Sequence, residues 1–122
     1  MGRRILVAED EYLVARHLVA MIRDMGGDPV GPVPDLEQAR ARAAADGPDA
    51  ALLDIKLGKA AVFPLADEFL DQGLPIVFLS GYERSYLPDR FAATPLVEKP
   101  VKAVKLARML ASALPIGRPA SG

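Results

Sequence analysis

Four places in the chain carry side chains whose types suit chemistry on a charged, oxygen-rich group: the acid pair Glu9-Asp10, then Asp54, Ser80 and Lys99. Clustered carboxylates repel by roughly 4 kcal/mol per pair at ~4 Å with an effective dielectric of about 20. If these acids converge, a cation must compensate. A hard divalent ion suits an all-oxygen site, and Mg2+ prefers few carboxylates plus waters and a phosphate oxygen. Lys99 adds a fixed positive charge, and Ser80 adds a hydroxyl that can donate to a phosphoryl oxygen. Such a set fits phosphoryl transfer onto a carboxylate, with Asp54 as nucleophile and Lys99 and Ser80 gripping the product. A carboxylate is already ionised near pH 7 and needs no general base. The single histidine, His17, is therefore not required.

Taken one at a time these residues have plainer explanations. An acid pair after a strand can simply favour a helix N-terminus, Ser80-Gly81 can be an ordinary turn, and Lys99 can be a solvated lysine. Their meaning depends on the elements that carry them. Ile5 to Ala8 is a short apolar run, as a strand covered on both faces should be. Leu13, Val14, His17, Leu18, Met21, Ile22 and Met25 then recur at three-to-four spacing and predict an amphipathic helix ended by Gly26-Gly27. Residues 28–33 hold two valines among glycine and prolines, which predicts a short edge strand.

Asp35, with Gln38 three residues on, predicts a helix N-cap, and Gly47-Pro48 the end of that helix. Residues 50–54 form the third strand. A helix from about Ala61 carries Leu65, Phe69 and Leu70 until Gly73. Residues 74–79 form the most apolar strand, 96–98 the fifth, and 101–114 the last helix with Val104, Leu106, Leu110 and Leu114 inward. Pro88 falls within the segment before strand five, so any helix there is short. Five strands alternating with five helical segments imply a parallel sheet with helices on both faces. Such sheets place functional groups beyond the carboxyl ends of their strands, and Glu9-Asp10, Asp54, Ser80 and Lys99 fall at four such ends.

The bulk numbers agree with one soluble domain. The chain has 122 residues, 51% hydrophobic and 25% charged, with a formal net charge of −1, so no field that would gather nucleic acid or an anionic membrane is implied. There is no cysteine, which excludes disulfides and thiolate chemistry. The apolar run after Arg3-Arg4 is too short for a signal-peptide core or a membrane span, and a cytoplasmic location is expected. The expected organisation is one domain over residues 1–115 and a flexible Pro/Gly/Ser-rich tail over 116–122.

Four stretches, Ile5-Leu6-Val7-Ala8-Glu9-Asp10-Glu11, Ala51-Leu52-Leu53-Asp54, Val77-Phe78-Leu79-Ser80-Gly81 and Val97-Glu98-Lys99-Pro100, together make the chain resemble the receiver domain of two-component response regulators. The resemblance covers nearly the whole length and extends, more softly, to single-domain regulators of some α-proteobacteria. It implies a flavodoxin-like doubly wound sheet of strand order 2-1-3-4-5, here with a short or irregular fourth helix. It implies Asp54 as phosphoacceptor, Mg2+ held by Asp10 directly, Glu9 through water, Asp54 and the Lys56 backbone carbonyl, Ser80 and Lys99 on the phosphoryl group, and a cis Lys99-Pro100 bond. The chain departs from the family in three places. Leu96 stands where an aromatic switch residue is usual, Ile55-Lys56-Leu57-Gly58-Lys59 replaces a loop that usually has Met-Pro, and Pro88 breaks the fourth helix. Tyr82 is a candidate to replace the switch aromatic.

The expected function is that of a stand-alone, non-enzymatic switch. It would accept a phosphoryl group from a histidine kinase or phosphotransfer protein, then alter binding to a protein on a separate chain or act as a phosphate sink. Two alternatives differ in class. A small phosphohydrolase would need an acid two residues after the nucleophile, where this chain has Lys56. A docking module without phosphorylation would lack Mg2+ affinity. The basic residues Lys102, Lys105 and Arg108 form a stripe on the last helix and predict a solvated face.

Overall fold

The apolar runs become strands and the periodic segments become helices, at bounds close to those read from the sequence. In the computed structural model, which describes residues 2–81 and 87–114, the strands are β1 (Arg4–Ala8), β2 (Asp28–Val33), β3 (Ala50–Asp54), the two-residue β4 (Lys56–Leu57) and β5 (Ala60–Ala61), β6 (Ile76–Ser80) and β7 (Leu96–Glu98). The helices are α1 (Tyr12–Asp24), α2 (Leu36–Asp46), α3 (Phe63–Asp71) and α4 (Ala103–Ala113), with a single 3-10 turn at Asp89–Phe91. Five parallel strands pair in the order β2-β1-β3-β6-β7, and β4 and β5 form a separate antiparallel hairpin. With the hairpin set aside, this is the expected 2-1-3-4-5 order.

Alternation along the strands builds two cores. Leu6, Ala8, Ala51, Leu53, Ile76 and Phe78 face α2, α3 and the 3-10 turn, packing with Leu65 and Phe69. Ile5, Val7, Ala50, Leu52, Val77 and Leu79 face α1 and α4, packing with Leu18, Ile22, Leu106 and Leu110. Both faces of the central strands are buried, which is why their sequences read as unbroken apolar runs.

Local chemistry sets the ends of the elements. Asp35 caps α2: its carboxylate accepts from the Gln38 N–H at 2.8 Å and from the Gln38 side chain at 3.0 Å. Gly47 closes that helix in the left-handed conformation. The edge strand β2 carries a bulge opposite β1, so Val30 and Val33 both reach the same core. Gly31 makes this possible. Its φ is +101°, and a Cβ there would lie 3.0 Å from the Val7 carbonyl and 3.0 Å from the Val33 nitrogen.

Two expectations are corrected. Leu13 and Val104, read as inward-facing, are 67% and 69% exposed. Each sits two residues, about 200° of helix rotation, from the buried Ala15 or Leu106. The third helix starts at Phe63 because the β4–β5 hairpin, turning at Gly58 with φ +64°, occupies residues 56–61. The short or irregular fourth helix expected there is, among the described residues, the 3-10 turn that begins directly after Pro88. Tyr82 and the expected tail at 116–122 lie outside the described residues.

Candidate functional site

The sheet topology brings the predicted residues to one end. β1 and β3 are neighbours, with Ala8 opposite Leu53, so Glu9 and Asp54 leave adjacent strands side by side. β3 pairs with β6, Asp54 lying opposite Leu79, which sets Ser80 one residue further out. β6 pairs with β7, Ser80 opposite Glu98, and the Lys99 N–H donates to the Ser80 carbonyl at 2.8 Å. The Lys99-Pro100 peptide is cis, as the resemblance implies, and a second cis peptide, Gly31-Pro32, was not foreseen.

An open cleft of about 470 Å³ lies there, lined by Asp10, Glu11, Asp54, Lys56, Gly58, Gly81 and Lys99. Glu9, Asp54 and Ser80 are buried, whereas Asp10 and Glu11 are exposed. Lys99 is the hub. Its Nζ lies 2.8 Å from Asp54 Oδ2, 3.0 Å from Glu9 Oε1 and 3.2 Å from Glu11 Oε1. The other oxygens are tied to the backbone two residues on: the Glu11 N–H donates to Glu9 Oε2 at 3.0 Å, and the Lys56 N–H to Asp54 Oδ1 at 3.2 Å.

These neighbours perturb ionisation. Burial pushes the Glu9 carboxyl up to about 7, against the opposing pull of the Glu11 N–H and the Lys99 ammonium. For Lys99, burial works to lower the pKa. The hydrogen bond to Asp54 and the nearness of Glu9 outweigh it, holding the ammonium above lysine's ordinary value.

The donor set fits a hard divalent cation. Carboxylate oxygens of Glu9, Glu11 and Asp54 all lie within 4.8 Å of one another. Glu9 Oε1, although 3.0 Å from the ammonium, has no hydrogen bond among the described residues, because the approach has the distance but not the angle. A buried carboxylate oxygen without a hydrogen bond, close to two other carboxylates, is what an all-oxygen cation site can use.

Sequence reasoning identified Glu9, Asp10, Asp54, Ser80 and Lys99, and the structure gathers all of them at this end. It missed Glu11. An exposed acid at the N-cap of α1 reads as a helix-terminus charge, and the only available signal was that it extends the Glu9-Asp10 run. His17 and the basic residues Lys102, Lys105 and Arg108 are exposed. Leu96 is half-buried and packs on the α2/α3-side core. Among the described residues, Phe63, Phe78 and Phe91 form an aromatic cluster, with Phe63 stacked on Phe91 at 5.4 Å.

Solved structures share this architecture, and a curated relative shares part of the sequence. The solution structure of SdrG from Sphingomonas melonis Fr1 is 33% identical with a TM-score of 0.82, covering 92% of this chain and 96% of that one. The chain belongs to the response-regulator receiver-domain family. The receiver domain of Erythrobacter litoralis PhyR superposes with a TM-score of 0.82 at 29% identity, covering 92% of this chain and 89% of that one. The transcriptional regulatory protein PdtaR of Mycobacterium tuberculosis is 33% identical over 89 residues, 72% of this receiver chain. The chain spans less than half the length of that curated relative, 43% of it. No family model matches the sequence. Among the described residues no helix is long and apolar enough to cross a membrane.

Proposed function

We propose that this receiver domain is a Mg2+-dependent phosphoacceptor switch with Asp54 as the acceptor. The observation that carries the reading is the convergence on Lys99 of buried carboxylates from two neighbouring strands, with Asp54 at 2.8 Å and open to the cleft. Glu9, Asp10, Asp54 and the Lys56 backbone carbonyl would hold the ion. When bound, Mg2+ would neutralise charge on the acidic cluster and on the transferred group. An Asp54 carboxylate oxygen attacks phosphorus, forming the acyl phosphate. The phosphorus–nitrogen bond of a phosphohistidine donor breaks, and its electron pair stays on the imidazole nitrogen. Lys99 then exchanges its Asp54 contact for a phosphoryl oxygen, and Ser80, buried at the end of β6, supplies a hydroxyl beside it.

The donor would be a histidine kinase or phosphotransfer protein, and the output a changed affinity for a protein partner or a drain on a shared phosphoryl pool. Phosphorylation adds charge and acceptor oxygens at a packed strand end, which is how a local modification biases a neighbouring segment. The chain acts stoichiometrically and not as a turnover enzyme, since Lys56 occupies the place where a hydrolase needs its second acid. Incubation with Mg2+ and a small phosphodonor is expected to add one phosphoryl group by intact mass, and Asp54→Asn to abolish the gain. An unmodified wild-type protein under these conditions contradicts the proposal.

A further inference from the structure

We propose that Glu11 is a positioning residue for Lys99: by fixing the direction in which the ammonium points, it leaves the buried Glu9 Oε1 without a hydrogen bond and available to a divalent cation. The inference rests on the Mg2+-dependent reading above and deepens it. An ammonium has three N–H donors. Lys99 gives hydrogen bonds to Asp54 Oδ2 at 2.8 Å and to Glu11 Oε1 at 3.2 Å. Glu9 Oε1 is nearer than Glu11, at 3.0 Å, yet receives no hydrogen bond. The allocation runs against the usual energetics. The Glu9 side chain is 0% exposed and the Glu11 side chain 63% exposed, and an orphaned acceptor costs far more when buried than when solvated.

The backbone explains how the bias is held. The Glu11 N–H donates to Glu9 Oε2 at 3.0 Å, so the turn that starts α1 fixes the Glu9 carboxylate and places the Glu11 side chain at the rim together. Lys99 reaches across from the end of β7 and meets the rim acid and Asp54 at once. Without the Glu11 carboxylate, Glu9 Oε1, 3.0 Å away, is an acceptor among the described residues toward which the ammonium can turn. A Lys99–Glu9 hydrogen bond would then close the buried oxygen to an incoming ion.

The test combines a structure with a thermodynamic cycle. In metal-free Glu11→Ala protein, determined by crystallography, Lys99 Nζ is expected to donate to Glu9 Oε1. Calorimetric titration with Mg2+ is expected to show affinity falling about tenfold on Glu11→Ala in the wild-type background, but only about twofold in a Lys99→Met background. Glu11→Gln keeps the side-chain length and one acceptor oxygen and should fall between. Equal losses in both backgrounds, or a Lys99 that stays on Asp54 without turning to Glu9, would overturn the proposal. A wild-type protein that fails to bind Mg2+, while Lys99 still turns to Glu9 in the variant, would sink the phosphoacceptor reading and leave the Glu11–Lys99 arrangement standing.

Discussion

The two ends of the central sheet carry the same kinds of side chain to opposite effect. At the amino end, the Arg4 N–H donates to Asp49 at 2.7 Å, the Arg4 guanidinium lies 3.7 Å from Asp28, and it also reaches the Asp46 carbonyl. The Arg4 and Asp28 side chains there are 41% and 62% exposed, and water does most of the solvating. At the carboxyl end, one lysine serves three carboxylates, two of them buried. The lesson is that acids at a strand end say little by themselves. Burial combined with a deficit of cations is what marks a site, because only that combination leaves an electrostatic debt for a ligand to settle.

The contrast can be broken most severely at Lys99. Lys99→Met removes the cation from a largely buried cluster and is expected to destabilise the metal-free protein by about 2–4 kcal/mol. Denaturant unfolding measures it, and millimolar Mg2+ should restore much of the loss. A variant as stable as wild type without metal would mean the cluster is hydrated like the amino end.

A smaller effect follows from Glu9. Its pKa is about 7 in the fold against 4.5 for the ordinary group, so the folded state binds this proton more tightly than the unfolded chain. The associated stability is complete below about pH 4.5 and is lost as pH rises through 7, a decline on the order of 1–3 kcal/mol. Comparing metal-free unfolding from pH 5 to pH 8 for wild type and Glu9→Gln should show the decline only in wild type. An identical slope in both assigns it to other groups. At the amino end, Asp49→Asn should cost about 1 kcal/mol or less and leave phosphoryl uptake unchanged. A larger loss would show that this end is more than solvated surface.

Much of this contrast was legible in the sequence. Unbroken apolar runs ending in Glu9, Asp54, Ser80 and Lys99 fix both the doubly covered strands and the end at which their polar groups emerge. Periodicity was less exact about helix faces. Leu13 satisfies three-to-four spacing and Val104 belongs to the same apolar series as Leu106, yet each lies about 200° from a buried neighbour, because an apolar series does not state how wide the buried stripe is. The β4–β5 hairpin escaped notice because two-residue strands have no period to read. Glu11 was hidden for a different reason. Its role depends on the allocation of hydrogen bonds around Lys99, and no local pattern encodes contacts between residues 88 positions apart.

The central claim is chemical and concerns one carboxylate. Borohydride reduction of the protein after treatment with Mg2+ and a phosphodonor, followed by peptide mapping, converts an acyl phosphate of aspartate to homoserine at the modified position. The account predicts homoserine at residue 54 and nowhere else, dependent on the divalent ion. A reduced product at Glu9, Asp10 or Glu11 in place of Asp54, or a phosphoryl group that survives on Ser80 or His17, would contradict it.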